Sequence, residues 1–255
     1  MKRMAKYKNP FLFALSLLPI AAIAGIFVGL YQLDVYPEEL LAQLIAEVGS
    51  TQVVVVVVAV QTVGYALFCG FFGYILAEKL GLWKPIRLEQ TAVLITLAVS
   101  LVGGTLFSLD HWVFGSSIPV IQSGNIESLT VNGILASILY GGIIEELMMR
   151  LFFMSLLAFL VWKVFCRKYD REHIPTAVFV IANIIAAVAF AAGHLPATAV
   201  LFGELTPLLL FRCFLLIGGF GLIFGHLYRK YGIAYAMIGH AMFHIISKLI
   251  WIVFI

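Results

Sequence analysis

Charge is scarce in this chain of 255 residues, of which 11% are Asp, Glu, Lys or Arg and 63% are hydrophobic. Soluble globular domains carry about 25% charged and about 45–50% apolar residues, so a water-facing domain of this composition could not cover its core. A soluble protein is therefore excluded. At about 20 apolar residues per spanning helix, the length suits roughly seven or eight spans. The predicted fold is all-α, a polytopic transmembrane helical bundle.

Cysteine is also scarce. The three residues, Cys69, Cys166 and Cys213, lie in or beside apolar runs and form no CxxC pair, which favours neither a disulfide framework nor a zinc knuckle. The basic N-terminus precedes an apolar stretch from Phe11 to Leu30 with no small-residue cleavage pattern after it. That stretch is too long for the core of a signal peptide, so we expect a retained first span.

Apolar runs separated by short polar breaks predict the spanning helices. Their limits are about 10–31, 52–77, 91–109, 131–165, 174–194, 206–228 and 232–254. The acidic segment 37–48 repeats its apolar residues at helical spacing but is too short to span, so we expect it at the membrane interface. The run 131–165 must tilt, break or project beyond the bilayer, because about 35 residues would cover some 50 Å.

Lys and Arg are absent from three connections, at about 32–51, 110–130 and 195–205. The N-terminus and the remaining connections hold 13 of the 16 basic residues: Lys2, Arg3, Lys6, Lys8, Lys79, Lys84, Arg87, Lys163, Arg167, Lys168, Arg171, Arg229 and Lys230. Because cytoplasmic loops collect Lys and Arg, this split predicts seven spans in the cell membrane with the N-terminus in the cytoplasm. The net charge of +3 thus serves topology and membrane lipid head groups, and no nucleic acid partner is expected.

Apart from Lys163 at the end of one run, the apolar runs retain five charged residues, Glu145, Glu146, Arg150, Arg212 and Lys248. A charge at the bilayer centre costs at least about 2.5–3.5 kcal/mol, which makes each one a functional candidate. Glu146 precedes Arg150 by four residues, the favoured order for a helical ion pair. Glu145 lies about 100° around the helix without a partner there, which suits a general base. The alternative is that both glutamates only hold neighbouring helices together.

The two other charges have simpler interpretations. Arg212 lies near the end of its helix and is expected to snorkel to the head groups. Lys248 follows His244 by one turn, so it either snorkels as well or approaches the site.

Three histidines in the later spans are the candidate partners of the carboxylates. His194 ends the fifth span, and His240 and His244 share one face of the seventh at i, i+4. Glu145 and His194 are each roughly 20 residues from the connection between their helices, so antiparallel packing brings them to the same depth. A single histidine on an apolar helix is more often a satisfied core residue, but a pair level with two carboxylates favours a site.

These motifs resemble those of the CPBP family of intramembrane proteases, which includes the type II CAAX prenyl endopeptidases and the bacterial Abi and bacteriocin self-immunity proteins. The family motifs are Glu-Glu-x-x-x-Arg, Phe-x-x-x-His and His-x-x-x-(Asn or Asp) on successive helices. They match Glu145, Glu146 and Arg150, then Phe190 and His194, then His240, with His244 in place of Asn or Asp. The resemblance covers about 131–250, the predicted protease core, and leaves the N-terminal transmembrane helices of 1–130 unassigned.

The resemblance implies an endopeptidase that hydrolyses a peptide bond of a membrane-associated protein or peptide. By this resemblance Glu145 activates a water with the help of His194, and His240 with residue 244 binds the oxyanion. Glu146 and Arg150 are implied to form the structural pair that orients the helix. A water-activating carboxylate and donors facing the developing negative charge are what peptide hydrolysis requires.

Three alternatives stay open. Glu145, His194, His240 and His244 could bind a single zinc ion, although the chain lacks a His-Glu-x-x-His helix, and a site without a cofactor is slightly favoured. A proton-coupled transporter could use the same groups as a relay, although no internal repeat typical of transporters is found. A family member without catalysis could act as an immunity or scaffold protein.

The predicted orientation conflicts with one property of the family. It puts Glu145 and His194 toward the outer half of the bilayer, whereas CAAX processing requires access from the cytosol. Either the site opens outward and the substrate is not a prenylated cytosolic protein, or the segment 131–165 is broken and the depth differs.

Overall fold

The computed structural model describes residues 8–255, which form helices and connections without a strand. Seven helices in this range are long and apolar enough to cross a membrane, which confirms the predicted polytopic all-α bundle. Three of the basic residues that predict the orientation in the membrane, Lys2, Arg3 and Lys6, lie outside the described residues. We number the helices α1 (Asn9–Val35), α2 (Glu38–Val48), α3 (Thr51–Leu80), α4 (Gln90–Val113), α5 (Pro119–Glu127), α6 (Val131–Phe165), α7 (Thr176–Phe202), α8 (Pro207–Tyr231) and α9 (Ile233–Phe254).

Local sequence sets several helix ends. The hydroxyls of Ser50 and Thr206 accept hydrogen bonds from the backbone N–H groups of Val53 (3.3 Å) and Leu209 (3.2 Å) at the N-termini of α3 and α8, as N-cap residues do. Gly232 separates α8 from α9 with φ of +102°, a conformation that glycine adopts without steric strain.

Helix α6 is continuous over its 35 residues, so the break considered for this segment does not occur. Its backbone is π-helical over Ser137–Glu145 and Leu147–Met154. Such segments are rare and occur frequently at functional sites. The two candidate carboxylates thus lie where α6 departs from regular α-helical hydrogen bonding.

Helix α6 lies in the middle of the bundle, in contact with α3, α7 and α9. At Gly142 its backbone approaches α9 so closely that an added Cβ would lie 2.7 Å from the Cβ of Ala241. Small residues permit such approach between membrane helices. The buried core between α6 and α8 includes Leu147, Leu151 and Tyr228.

The basic connections meet at one end of the bundle, which we call the basic face and define as residues 81–89, 166–175 and 229–231. There the Lys84 ammonium donates hydrogen bonds to the backbone carbonyls of Arg229 (3.3 Å) and Lys230. The Arg229 guanidinium donates to Thr176 Oγ1 at 3.1 Å. The opposite end holds α5 and the connections that lack Lys and Arg.

Arg212 does not snorkel, contrary to the sequence-based expectation. Its side chain is buried and donates from Nε and Nη2 to the two carboxylate oxygens of Asp110, at 2.6 Å each. Asn125 donates to the same carboxylate at 3.5 Å. Burial favours a fully hydrogen-bonded pair because an isolated charge in an apolar interior is strongly destabilised. The pair ties α4 and α8 together beside α5.

Candidate active site

Glu145 on α6 faces His194, which lies at the break between the two helical segments of α7. The distance from Glu145 Oε1 to His194 Nε2 is 3.6 Å. The other ring nitrogen, Nδ1, is 2.8 Å from the carbonyl oxygen of Phe190. A carbonyl can only accept, so Nδ1 carries a proton. In the neutral form of the ring, Nε2 presents a lone pair toward Glu145.

Glu146 is fully buried and links α6 to α9. Its Oε1 lies 3.0 Å from Arg150 Nη1 and 2.8 Å from His240 Nδ1. The Arg150 guanidinium also donates to the carbonyl of Gly221 at 3.2 Å and lies 4.6 Å from the centre of the Phe190 ring. The sequence predicted the pairing with Arg150, whereas the contact with His240 depends on the register of α6 against α9.

His240 and His244 are stacked one turn apart on α9, with Nε2 atoms 3.1 Å apart. The ring of His240 also stacks on Phe224, with centroids 4.4 Å apart. Because an ionised Glu146 can only accept, His240 donates from Nδ1 and directs Nε2 toward His244. One proton is then shared between the two Nε2 atoms.

A cavity of about 320 Å³ joins the four predicted catalytic side chains, since Glu145, His194, His240 and His244 all line it. The rest of its wall is mainly aromatic and aliphatic and includes Phe107, Phe220 and Tyr140. A second opening of about 310 Å³ between α6 and α7 reaches Glu145 and His194 past Met148 and Met149. The carboxylate can thus be approached both from within the bundle and from its side.

Lys248 does not snorkel to the head groups but approaches the site, the second of its two predicted arrangements. It is 5% exposed and lines a polar cavity of about 300 Å³ together with His244. Its ammonium donates to the carbonyl oxygen of Ser128 at 3.2 Å and to the Ser128 hydroxyl. A cation at the C-terminal end of α5 interacts favourably with the helix dipole. The partner lies 120 positions away, so the sequence contained no indication of it.

The four predicted zinc ligands do not form a metal site in this arrangement. Within residues 8–255, no group of three or more His, Cys, Asp or Glu side chains could hold a metal ion. Both ring nitrogens of His240 are engaged, by Glu146 and by His244. Metal binding would require those contacts to rearrange.

Comparison with known proteins bears on the segment that holds these residues. Residues 127–246 match the family model described as "Type II CAAX prenyl endopeptidase Rce1-like". No significant match is found to a curated protein or to a solved structure. The matched segment is nearly half of the chain and contains Glu145, Glu146, Arg150, His194, His240 and His244. This match agrees with the resemblance to the CPBP/CAAX protease family that the motifs of the segment predicted.

Proposed function

We propose that the chain is an intramembrane endopeptidase that uses Glu145 to activate a water molecule. The observation that carries the proposal is the 3.6 Å gap between Glu145 Oε1 and His194 Nε2 inside a cavity lined by both side chains. This distance is too long for a direct hydrogen bond, so a water molecule at about 2.8 Å from each atom would lie beside the line that joins them and contact both.

The proton arrangement at this gap suits hydrolysis. In the neutral form of His194, with Nδ1 donating to Phe190, Nε2 and the ionised Glu145 are both acceptors. One water molecule can donate one hydrogen to each, which orients its oxygen lone pair toward the substrate. Glu145 then takes the proton as the water attacks the peptide carbonyl carbon, and returns it to the leaving amine when the C–N bond breaks.

His240 and His244 supply hydrogen-bond donors for the carbonyl oxygen as it becomes an oxyanion. The proton between their Nε2 atoms can be redirected to an oxygen placed against them, and donors fixed in advance stabilise the transition state strongly. Glu146 acts as a positioning residue, because its bond to Nδ1 fixes the ring of His240. Arg150 in turn neutralises Glu146.

The substrate is a membrane-associated protein or peptide, which reaches Glu145 through the opening between α6 and α7. We infer a multi-pass protein of the cell membrane with a cytoplasmic N-terminus and a site that opens on the side opposite the basic face. The continuity of α6 favours this side, because it leaves the depth argument intact. Lipid is the surrounding partner, and no nucleic acid is involved.

Cysteine-accessibility labelling tests the orientation. Cys166 is the first residue of the 166–175 connection of the basic face, and Ala197 is an exposed residue after His194. A membrane-impermeant thiol reagent applied from outside is expected to label Ala197→Cys and to leave Cys166 unlabelled. The reverse pattern would contradict the inferred orientation and make cytosolic substrates accessible.

Zinc dependence is the principal mechanistic alternative. We expect cleavage to survive exhaustive chelation, and elemental analysis of the purified protein to find no stoichiometric zinc, because the side chains alone supply the base and the oxyanion donors. Activity that disappears on chelation and returns with zinc would replace this mechanism with one in which Glu145, His194, His240 and His244 bind the ion.

The substitution His244→Asn tests the one departure from the family motif. Asn can donate a hydrogen bond from its amide as His244 does from Nε2, so we expect cleavage within about tenfold of wild type. His244→Leu keeps a similar volume without a donor, and loss of an oxyanion donor costs about 10²–10³-fold in rate. Equal activity of the Asn and Leu variants would exclude an oxyanion role for residue 244.

Substrates can be identified by comparing the membrane proteomes of cells with the wild-type chain and with Glu145→Ala. Uncleaved forms are expected to accumulate in the variant at unchanged protein level, and His194→Ala should give the same set. A proton-coupled transporter or a non-catalytic immunity protein would leave the cleavage pattern unchanged in both variants.

A further inference from the structure

A separate cavity, of about 540 Å³, lies at the basic face, far along the bundle from the candidate active site. Three cationic side chains line it, Lys84, Arg171 and Arg229, each from a different connection or helix end. One acidic residue, Glu172, shares the lining. Ligand pockets are commonly about 300–1,000 Å³, so the volume suits a small polar group.

The three cations converge without carboxylate partners. None of them takes part in an ion pair within the described range 8–255. Lys84 and Arg229 bond only neutral oxygens there, namely backbone carbonyls and the Thr176 hydroxyl. Burial lowers the pKa of Lys84, nearby Glu89 partly offsets this, and Arg229 lowers it further. An anion placed between the cations would relieve their mutual repulsion.

Backbone geometry helps to form this cavity. Gly81 directly follows the last residue of α3 and caps that helix with φ of +72°. The guanidinium of Arg171 lies against it, with Nε 3.6 Å from the position that a Cβ would occupy. Arg229 lies with its guanidinium 5.5 Å from the centre of the Phe179 ring. Both guanidinium groups therefore lie at the wall of the cavity.

The cavity lies at the level where spanning helices end, since α3 ends at Leu80, α7 begins at Thr176 and α8 ends at Tyr231. Exposed apolar side chains lie in the surrounding connection and helix end, among them Ile86 and Leu88, and Phe165 at the end of α6. Cations at the ends of spanning helices, beside exposed apolar side chains, are typical of sites for anionic lipid head groups.

We propose that the cavity formed by Lys84, Arg171 and Arg229 binds the phosphate group of an anionic phospholipid. The cations contact the phosphate oxygens, and the acyl chains extend along the apolar surface of the spans. The proposal is independent of the peptidase reaction, because the cavity shares no lining residue with the candidate active site.

Native mass spectrometry of the purified chain in mixed micelles of phosphatidylglycerol and phosphatidylcholine tests the proposal. The wild type is expected to retain phosphatidylglycerol preferentially. Arg171→Gln, at an exposed position, should reduce retention about fivefold, the contribution of one cation near an anionic surface. Lys84→Gln should do the same, with the unfolding temperature checking that it folds. Glu172→Gln should increase retention.

Arg167→Gln is the matched control, because it removes the same charge from the same connection without touching the cavity. Retention should stay at the wild-type level in Arg167→Gln and in Glu145→Gln. An equal loss in Arg167→Gln and Arg171→Gln would reduce the effect to diffuse surface charge and overturn the site. Inorganic phosphate should displace the lipid only at large excess, and displacement at equal concentration would assign the cavity to a soluble phosphate instead.

Discussion

Replacing Glu145 with glutamine is expected to lower the rate of substrate cleavage by about 10²–10⁴-fold, the usual contribution of a general base. The amide keeps the size of the side chain but cannot take a proton from water. The Glu145 side chain is 18% exposed, and within residues 8–255 the only basic nitrogen within 4.0 Å of its carboxylate is His194 Nε2, at 3.6 Å, so folding should be preserved. Cleavage of a substrate identified by the proteome comparison, measured with purified protein, gives the rate.

Two carboxylates provide controls for this result. Glu39→Gln makes the same chemical change on the exposed side of α2 and should leave the rate unchanged. Glu146→Gln should lower both the rate and the thermal stability, because it removes the charge that Arg150 and His240 contact. A wild-type rate in both Glu145→Gln and His194→Ala would refute the peptidase assignment.

Replacing Arg212 with methionine is expected to destabilise the fold by about 3–5 kcal/mol, the cost of leaving one member of a buried ion pair without its partner. Asp110 has a fully buried side chain, and Arg212 makes both of the 2.6 Å contacts to its carboxylate. Thermal unfolding in detergent, followed by tryptophan fluorescence, measures the loss.

The double variant Asp110→Leu/Arg212→Met distinguishes the cost of one unpaired buried charge from the stability that the ion pair itself contributes. Removing both charges should restore most of the lost stability, because apolar replacements of a buried pair are often neutral. Arg167→Met, which removes an exposed cation at the basic face, should change stability by at most about 0.5 kcal/mol. An Arg212→Met variant as stable as wild type would show that the pair contributes nothing to the fold.

The polar contacts of the candidate site, together with the Asp110–Arg212 pair, divide into contacts within one helix and contacts between helices. Glu146 with Arg150 and His240 with His244 are four residues apart, and the α-helical repeat of 3.6 residues predicts that such side chains meet. Glu146 meets His240 across 94 positions, and Asp110 meets Arg212 across 102. The axial register of two packed helices decides such contacts, and hydropathy contains no information about register.

The expectation for Arg212 was wrong and that for Lys248 left two arrangements open, and both results have the same physical origin. Snorkelling of Arg212 was expected because its position near a helix end offers a route to the head groups. The structure instead provides a carboxylate within the bundle, and a bidentate ion pair replaces hydration. Lys248 similarly finds the end of α5. A single sequence gives the depth of a charge in the membrane but not the neighbour that it meets there.

The pattern of residue types along the chain predicts the all-α bundle, its seven spans and the rarity of charge within them, because lipid requires long apolar helices and makes each buried charge costly. It also placed Glu145 and His194 at one depth, since both lie roughly 20 residues from the same connection. Helix packing is what brings Glu146 to His240, pairs Asp110 with Arg212, and places three cations around one cavity at the basic face. These depend on close helix contacts such as that of Gly142 with Ala241, where side-chain size sets the register.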